Sequence, residues 1–519
     1  IIPRSTEASR LVEEHLISPE LAQNGGWLIV SKDGGVSIMV GEEDHLRLQV
    51  IGTGLCPKEC LETANRVASL IEAALPFAYD ERLGYLTACP TNIGTGLRAS
   101  IMLHLPMLTA TEQMDRIIGY AGSRGCAVRG TYGEGSQAVG GFYQVSNQVT
   151  LGASAAELTD KLVETGLKDA GYEYVVIDDC WAEKTRDSSG RLVPDKNKFP
   201  SGMKALADYV HSKGLKFGMY SCAGVLTCGQ YPASYDYEFI DAKTFAEWGV
   251  DFLKYDFCYK PEFVAGKALY RRMGLALANC GRDILFSACS WGAEKTHEWI
   301  RSTGAGMWRS TGDIFDNWNS VKNIIMQQVD ITCEYNNNEG SMPFGGIGCF
   351  NDMDMLVVGM HGVGNVGLGG CTDEEYRTHF SAWAIFGSPL MIGCDIRKLD
   401  DEAYKILTNR DVLAINQDGR GAQPYVANNE WMKINHGNTP VVARMMENGD
   451  VAVALFNMND NDAVCNFRGD QIGLPPVTKV RLMARDAWSG EEFEIHNYAY
   501  VASIPAHGCK LLRVKVIPQ

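Results

Sequence analysis

Apolar and polar positions in the first 150 residues follow patterns typical of short strands. Residues 28–30 and 36–40 flank a Lys-Asp-Gly-Gly turn and predict a β-hairpin, and residues 47–51 predict a third strand. Apolar residues at helical spacing predict a helix over 60–75. Strands that follow one another without regular helices between them indicate an α+β antiparallel fold. We therefore predict one such domain over residues 1–152.

From residue 155 the pattern changes to alternating helices and strands. The predicted helices are 157–170, 203–213, 242–248 and 261–280, and the predicted strands are 173–177, 215–220, 251–256 and 284–288. Such alternation is typical of a parallel α/β sheet, either closed as a (β/α) barrel or open. Short alternating strands return after residue 420, for example at 441–444 and 451–456, and predict a terminal antiparallel β domain. The predicted domains are therefore 1–152, 153–420 and 421–519.

Composition excludes several classes of partner. The 519 residues carry a net charge of −16, which opposes nonspecific binding to nucleic acid or to an anionic membrane. No apolar run approaches the ~20 residues that a membrane-spanning helix needs. The first residues contain no apolar signal core, so a cytoplasmic location is slightly favoured and the location otherwise stays open. Nothing in the sequence opposes a homo-oligomer.

Cysteine spacing argues against a structural metal. The 16 cysteines include no CxxC pair and no Cys/His cluster at zinc spacing. We expect most of them to be reduced core residues, which fits the cytoplasm.

Carboxylates stand where the apolar strands of the middle segment end. Asp178 and Asp179 follow one strand, Asp256 ends another, and Asp313 follows a third apolar stretch. Since the strands of a (β/α) barrel place its active site at their C-terminal ends, these side chains are candidates for catalysis. A retaining glycosidase needs two carboxylates ~5–5.5 Å apart. For any one of these aspartates alone, a solvated turn residue is the simpler interpretation.

Other residue types fit the same chemistry. Lys254 lies two positions before Asp256, so it shares a strand face with this carboxylate and is expected to keep its pKa low. Aromatic side chains near the predicted strand ends could form a floor on which sugar rings stack, with core packing as the equally good alternative. They are Trp181, Tyr220, Trp291 and Trp308.

Several ordered motifs in the second part of the chain carry a family resemblance. They are residues 169–181, 209–216, 248–256, 351–356 and 414–418. With these motifs, residues 157–519 closely resemble the α-galactosidase and α-N-acetylgalactosaminidase family of retaining glycoside hydrolases, the melibiases. The resemblance implies a TIM barrel with a C-terminal β-sandwich, and an α-galactoside or α-N-acetylgalactosaminide substrate.

The resemblance also implies roles for individual residues. Asp256 would be the nucleophile and Asp313 the acid/base, with no cofactor or metal. Cys228 and Cys258 would form a disulfide beside the site, and if it forms it argues for an oxidising compartment. The residues implied to bind the sugar or line its pocket are Asp178, Asp179, Trp181, Tyr220, Lys254, Cys289, Ser290, Trp291, Arg309 and Asp354.

This chain departs from the melibiase pattern in two places. Ser290 and Ala293 resemble the small residues with which the animal N-acetylgalactosaminidases make room for an acetamido group, which favours that sugar slightly. The family's first barrel strand is missing. An open barrel would expose a sheet edge and lose one wall of the pocket.

The first part of the chain resembles an unrelated family. Residues 42–47, 77–81, 84–98 and 129–135 are similar to motifs of the ATP:guanido phosphotransferases, closest to bacterial protein-arginine kinases. The resemblance implies Mg-ATP as cofactor, because phosphoryl transfer uses arginines to clamp phosphates and carboxylates to hold the guanidinium. The implied ATP-binding residues are Arg47, Arg98 and Arg129, and those at the guanidinium are Glu43, Cys89 and Glu134.

The chain therefore has the sequence of a chimera, a kinase-like fragment joined to a glycosidase without its first barrel strand. We predict retaining hydrolysis of terminal α-linked galactose or N-acetylgalactosamine. The alternatives are phosphoryl transfer to arginine by the first segment, and an inactive chimera that only binds ligand.

Overall fold

The computed structural model describes residues 2–3, 5–42, 45–80, 84–85, 96–111, 114, 126–129, 140–147, 155–196, 198–337, 345–362, 370–428, 437–474 and 480–518. The chain forms two compact units. The first unit contains Ile1–Ser154 and Asp195–Gly202, and the second contains Ala155–Pro194 and Met203–Gln519. The boundaries between the three predicted domains remain a prediction. Among the described residues, no helix combines the length and apolar character that crossing a bilayer requires.

The first unit is α+β, as predicted. Its helices are α1 (Thr6–Glu13), α2 (Pro19–Asn24), α3 (Pro57–Glu72) and α4 (Pro106–Ala110). Its strands are β1 (Trp27–Val30), β2 (Val36–Val40), β3 (Leu46–Val50), β4 (Tyr79–Asp80), β5 (Gly84–Tyr85), β6 (Ser100–His104), β7 (Cys126–Arg129) and β8 (Phe142–Asn147). The predicted hairpin is confirmed, since β1 pairs antiparallel with β2 and β2 with β3.

Local capping explains where the helices of the first unit begin. The Ser5 and Ser18 side chains accept hydrogen bonds from backbone N–H groups in the first turns of α1 and α2, which contributes about 1 kcal/mol per cap. Helix α3 starts three residues earlier than predicted because Pro57 occupies its first turn, where no N–H is needed. A small core of Ala8, Leu11, Ile17, Leu21 and Met39 packs under these elements.

The second unit begins with a parallel α/β sheet. Its helices are α5 (Ala155–Glu164), α6 (Gly202–Ser212), α7 (Glu238–Trp248), α8 (Gly266–Ala278), α9 (Trp318–Asn337), α10 (Asp373–Phe386), α11 (Asp401–Leu407) and α12 (Arg410–Asn416). Its parallel strands are β9 (Tyr174–Val176), β10 (Lys216–Cys222), β11 (Phe252–Asp256), β12 (Leu285–Ala288), β13 (Met307–Arg309) and β14 (Phe350–Asp352). Short 3₁₀ turns occur at Lys168–Ala170, Ala293–Glu298, Ile300–Thr303, Ile396–Lys398 and His496–Tyr498.

The six parallel strands follow one another in chain order, from β9 at one edge to β14 at the other. A parallel bridge between Leu356 and Ile392 adds the beginning of a further strand. This is the order of a (β/α) barrel. In the described part of the chain, β9 pairs with β10 alone, which agrees with the predicted absence of a first strand.

A glycine leads the chain from helix α7 into strand β11. Helix α7 ends at Gly249, whose φ of 83° reverses the chain into β11. This conformation favours glycine because it has no Cβ to clash. All residues of β11 except Lys254 are buried, so the strand places its last residue, Asp256, at the C-terminal edge of the sheet.

The chain ends in an antiparallel β domain, as predicted. Its strands are β15 (Tyr425–Val426), β16 (Val441–Met445), β17 (Val451–Phe456), β18 (Ala463–Arg468), β19 (Val480–Asp486), β20 (Glu492–Ile495), β21 (Ala499–Ile504) and β22 (Cys509–Pro518). One sheet has the order β15-β16-β17-β22-β19-β20, and β18 pairs with β21. Apolar side chains of both sheets, such as Val453, Phe467 and Leu512, form one core.

Helix α10 connects the barrel to this β domain. Every residue from Thr378 to Phe386 is buried. At the N-terminus of α10, Thr372 and Glu375 form a capping box, in which each side chain accepts a hydrogen bond from the other residue's backbone N–H. Glu375 also lies 2.7 Å from Nδ1 of His507 in the β domain. The Thr378 hydroxyl donates to the His507 carbonyl.

Candidate active site

The C-terminal ends of β9, β10 and β11 bring several predicted residues together. In the register between β10 and β11, Tyr220 lies beside Lys254 and Cys222 beside Asp256. The Lys254 ammonium lies 2.7 Å from Asp178 Oδ2 and 5.4 Å from the centre of the Tyr220 ring. Burial would lower the pKa of Lys254, but Cys289, Asp178 and Asp256 raise it above its ordinary value. Lys254 therefore stays charged.

Asp256 is buried and held at both oxygens. The Tyr220 hydroxyl donates to Oδ2 at 3.0 Å, and the Phe257 N–H donates to Oδ1 at 2.8 Å. Burial raises the pKa of Asp256, against the opposing effects of Lys254, the Phe257 N–H and Tyr220. The expectation that Lys254 keeps this pKa low is therefore wrong. Lys254 acts in that direction, but the cost of burying a carboxylate is larger.

Asp179 and Trp181 have different surroundings. Asp179 Oδ2 accepts a hydrogen bond from the Gly229 N–H at 2.7 Å. Trp181 is 4% exposed, packs edge-on against Phe245 and Trp248, and donates from Nε1 to the Tyr220 carbonyl. Trp181 therefore serves as core packing that supports Tyr220. Trp308 is also fully buried, so neither tryptophan offers an open face for a sugar.

A second carboxylate cluster surrounds Arg309 at the end of β13. The buried guanidinium lies 2.9 Å from Asp313 Oδ1 and 2.9 Å from Asp354 Oδ1. The two carboxylates differ in access, since the Asp313 side chain is 76% exposed and that of Asp354 is 10% exposed. Asp354 also accepts the Ile314 N–H at Oδ2. Arg309 thus links the exposed carboxylate of Asp313 to the buried carboxylate of Asp354.

Asp352 belongs to this cluster, and the sequence analysis did not single it out. It is the last residue of β14 and is 5% exposed. Burial raises its pKa to about 6, although Arg309 opposes the rise, and the Asp354 charge adds to it. Its position two residues before Asp354, within the motif over 351–356, is a sequence signal that could have identified it.

The segment after β12 places the three predicted residues Cys289, Ser290 and Trp291 in different environments. Cys289 is buried, and its sulfur lies 3.8 Å from an Arg309 nitrogen. Ser290 is fully buried, and its hydroxyl pairs with that of Thr296 at 2.8 Å. Trp291 is 37% exposed and packs edge-on against Phe257. Of the predicted aromatic floor, Trp291 alone presents an accessible ring.

The implied disulfide is present. Cys228 and Cys258 are bonded, with their Cα atoms 5.3 Å apart. The Cys228 sulfur lies 3.5 Å from Asp256 Oδ2. Among the described residues, these two sulfurs and Asp256 are the one group spaced to hold a metal ion. The disulfide leaves no thiolate to act as ligand.

Strained backbone conformations gather at these strand ends. Non-glycine residues with positive φ are rare, and they persist where the surrounding structure holds them, often at functional sites. Here one such residue follows each of five parallel strands, β9 to β12 and β14: Cys180 (φ 66°), Gln230 (62°), Tyr259 (48°), Trp291 (56°) and Asp354 (83°). The edge of the sheet that holds the carboxylates therefore contains several strained residues.

The predicted kinase-like residues are described only in part. Arg47, in β3, forms an ion pair at 2.8 Å with Glu42. Arg98 is exposed. Arg129 ends β7, but its side chain lies outside the described residues, as do Glu43, Cys89 and Glu134. The predicted nucleotide and guanidinium sites thus remain predictions.

Known proteins resemble the two parts of this chain differently. Residues 147–418 match the family model described as alpha galactosidase A, and residues 436–514 match the alpha galactosidase C-terminal beta sandwich domain. The chain belongs to the alpha-galactosidase (melibiase) family. It is a glycoside hydrolase. Residues 4–168 match the C-terminal catalytic domain of the ATP:guanido phosphotransferases, which confirms the second resemblance.

Relatives of this melibiase extend from plants to bacteria and fungi. An alpha-galactosidase of Cyamopsis tetragonoloba is 44% identical over 357 residues, which are 68% of this chain and 80% of the relative. Alpha-galactosidase A of Cellvibrio japonicus is 38% identical over 69% of this chain and 86% of its own. The crystal structure of alpha-galactosidase I from Mortierella vinacea is 35% identical, with a TM-score of 0.62 over 69% of this chain and 91% of that one.

Proposed function

We propose that this melibiase is a retaining α-galactosidase that releases terminal α-linked galactose by double displacement. The observation that carries the proposal is that two unlike carboxylates stand at one edge of the sheet, one at the end of β11 and one just after β13. Asp256 is buried, with both oxygens hydrogen-bonded, whereas Asp313 is exposed and held by Arg309. A retaining glycosidase needs a fixed nucleophile and a second carboxyl group that exchanges protons.

In the first step, Asp256 attacks the anomeric carbon while Asp313 gives its proton to the departing glycosidic oxygen. The Tyr220 hydroxyl and the Phe257 N–H aim the Asp256 carboxylate. In the second step, Asp313 takes a proton from water, and the water oxygen bonds to the anomeric carbon as the bond between that carbon and Asp256 breaks. The sugar leaves with its configuration retained, Asp256 is again a carboxylate, and Asp313 is again protonated. Two carboxylates suffice for this chemistry, so the proposed reaction uses no cofactor or metal.

The neighbouring charged groups would bind the sugar. Lys254 and Asp178 are joined by an ion pair at 2.7 Å, and Asp179 lies on the adjoining loop. Their donors and acceptors suit vicinal sugar hydroxyls, which both give and accept hydrogen bonds. Alpha-galactosidase relatives and a yeast alpha-galactosidase solved with raffinose support galactose as the sugar. Ser290 and Ala293 leave N-acetylgalactosamine as the competing substrate.

The test is a paired assay of nitrophenol release from the α-galactoside and the α-N-acetylgalactosaminide. Asp256→Asn is expected to reduce hydrolysis by about 10³-fold or more, because the nucleophile is lost. Asp208→Asn is a matched control, since Asp208 is an exposed carboxylate on α6 that pairs with Lys204. Wild-type protein that binds galactose without turnover would contradict the proposal and favour an inactive chimera.

Azide rescue distinguishes the two carboxylates. In Asp256→Gly, azide occupies the place of the nucleophile and is expected to give the β-galactosyl azide. In Asp313→Gly, azide replaces water in the second step and is expected to give the α-galactosyl azide. The same anomer from both variants would refute the assigned roles.

Phosphoryl transfer to arginine is a second candidate function, favoured by the family match over residues 4–168. It predicts transfer of labelled γ-phosphate from Mg-ATP to an arginine-rich protein. Arg98→Ala is expected to abolish the transfer. Absence of labelling by the wild-type chain would reject this function and leave the hydrolase unaffected.

A further inference from the structure

The carboxylate of Asp354 holds the segment around Asp313 at two points. Its Oδ1 lies 2.9 Å from one Arg309 nitrogen, and another nitrogen of this guanidinium lies 2.9 Å from Asp313 Oδ1. Its Oδ2 accepts the N–H of Ile314 at 2.8 Å, and Ile314 follows Asp313 directly in the chain. The exposed Asp313 side chain is therefore held from its own carboxylate and from the next peptide group, and both contacts depend on where Asp354 lies.

Asp354 has a backbone conformation that non-glycine residues rarely adopt. Its φ is 83°, and such conformations persist where the surrounding structure holds them. The Asp354 N–H donates to Asp352 Oδ1 at 2.9 Å, and the Asp354 carbonyl accepts from Trp383 Nε1 at 2.7 Å. Both backbone polar groups of Asp354 are therefore fixed by buried side chains.

The two side chains that hold Asp354 are themselves fixed by the core. Asp352 lies opposite Arg309 in the register between β13 and β14. Its carbonyl accepts the Ser310 N–H at 3.0 Å and the Ser310 hydroxyl at 3.2 Å. That hydroxyl accepts from Nε2 of Gln328, which is fully buried on α9. Trp383 is fully buried on α10. The support of Asp354 is thus a set of groups that the fold orders without a ligand.

We propose that Asp352 is a positioning residue for the acid/base Asp313, on which it acts through Asp354. By accepting the Asp354 N–H, Asp352 maintains the strained conformation from which the Asp354 carboxylate reaches Arg309. This inference rests on the proposed galactosidase function and adds a residue to its proton-transfer step. A general acid must lie within hydrogen-bond reach of the oxygen that it protonates, and a small displacement of a catalytic group costs much of the rate.

A displaced acid affects substrates unequally, because leaving groups differ in how much they need a proton. Phenol leaves poorly unless its oxygen is protonated, whereas 2,4-dinitrophenolate leaves readily as an anion because its nitro groups stabilise the charge. The value of kcat/KM reports the steps up to cleavage of the glycosidic bond. The ratio of kcat/KM for the phenyl α-galactoside to that for the 2,4-dinitrophenyl α-galactoside therefore measures proton donation by Asp313. We call it the leaving-group ratio.

The test measures this ratio in three variants. Asp352→Ala removes the acceptor of the Asp354 N–H and is expected to lower the leaving-group ratio about tenfold. Asp352→Asn keeps an oxygen that can accept this N–H and is expected to retain most of the ratio. Trp383→Phe keeps an aromatic ring but removes the donor to the Asp354 carbonyl, and it is expected to lower the ratio severalfold.

The control is Asp486→Ala, which removes a buried carboxylate from the β domain. Asp486 accepts the backbone N–H groups of Trp488 and Ser489, so its loss also destabilises the fold. The control is expected to lower the unfolding temperature and to leave the leaving-group ratio unchanged. Thermal unfolding of every variant shows which of them fold.

An unchanged ratio in Asp352→Ala, or an equal loss on both substrates, would overturn the positioning role. A ratio that falls as far in Asp352→Asn as in Asp352→Ala would also contradict it, because the hydrogen-bond acceptor remains. If Asp352→Ala does not fold, Trp383→Phe decides, and an unchanged ratio there overturns the proposal. Wild-type protein inactive on both galactosides would instead refute the galactosidase, and this inference with it.

Discussion

At the scale of single residues, the pKa of Asp256 depends on burial and on three neighbouring groups that stabilise its carboxylate. Burial raises the pKa of its carboxyl group, yet the proposed reaction needs the carboxylate. The Tyr220 O–H stabilises the ionised form by donating to Oδ2 at 3.0 Å. Tyr220 therefore determines part of the pH range in which the nucleophile is ionised.

Tyr220→Phe is expected to raise the pKa of Asp256, because the variant loses a donor that favours the carboxylate. The acid limb of the kcat/KM profile then moves to higher pH, by about one unit for a hydrogen bond to a charged group. The measurement is kcat/KM for the nitrophenyl galactoside across the pH range. A limb that stays in place or moves to lower pH would contradict this assignment.

Asp352 is a residue whose charge opposes folding. Its pKa is about 6 in the folded protein and about 3.9 in an unfolded chain. Between these values the unfolded carboxyl loses its proton while the folded one keeps it. The free energy of unfolding therefore falls as pH rises through this window, by about 3 kcal/mol in total.

Asp352→Asn is expected to remove this dependence. The amide keeps an oxygen that can accept the Asp354 N–H but carries no charge. The variant should unfold at a higher temperature than the wild type at pH 7, and the difference should shrink towards zero near pH 4. An advantage independent of pH would show that the charge is not its cause.

At the scale of elements, the loops after β10 and β11 depend on their disulfide. The Cys228–Cys258 bond spans 30 residues, and the chain-entropy estimate for such a loop is about 3–4 kcal/mol. The double variant Cys228→Ser, Cys258→Ser should lower the unfolding temperature, and reducing agent should have the same effect on the wild type. Cys280→Ser, which removes a half-buried free thiol, should change it little. Equal shifts in both variants would argue against the disulfide.

The elements of the second unit were largely predictable from apolar periodicity. The strand predicted over 251–256 is observed as Phe252–Asp256. A run of apolar residues indicates a buried strand, and the carboxylate after the run indicates where the strand ends. Helix α7 begins at Glu238, four residues before the predicted start. Its first turn contains Glu238 and Asp241, which are both buried. Asp241 is neutralised by an ion pair with Arg186, a partner distant in the chain that the local sequence pattern does not reveal.

The positions of the candidate site residues were predictable to a similar degree. The family resemblance named Asp178, Lys254, Asp256, Arg309 and Asp354, and the structure places them within, or at most two residues beyond, the C-terminal ends of the parallel strands. Their roles remain a prediction. The balance between burial and charge at Asp256, and the orientation of Trp181 into the core, depend on elements distant in the chain. They could not be derived from spacing alone.

At the scale of the whole molecule, the barrel and the β domain belong to one compact unit. Trp488 of the β domain donates to the Ser381 hydroxyl of α10 at 2.9 Å. Arg444, buried on β16, donates to the Ala384 and Ile415 carbonyls in the last turns of α10 and α12. A cation at two helix C-termini meets the negative ends of their dipoles. These contacts are spread over the sequence, so no single motif predicts them.

The two contacts of Glu375 affect how this unit unfolds. One of its oxygens caps α10 through the Thr372 N–H, and the other lies 2.7 Å from His507. Detaching the β domain therefore disturbs the start of α10, in which every residue from Thr378 to Phe386 is buried. We expect calorimetry to show the barrel and the β domain unfolding in a single cooperative transition. For that transition, the calorimetric enthalpy should equal the van't Hoff enthalpy. His507→Ala should separate that transition into two, whereas two transitions already in the wild type would show that the domains unfold independently.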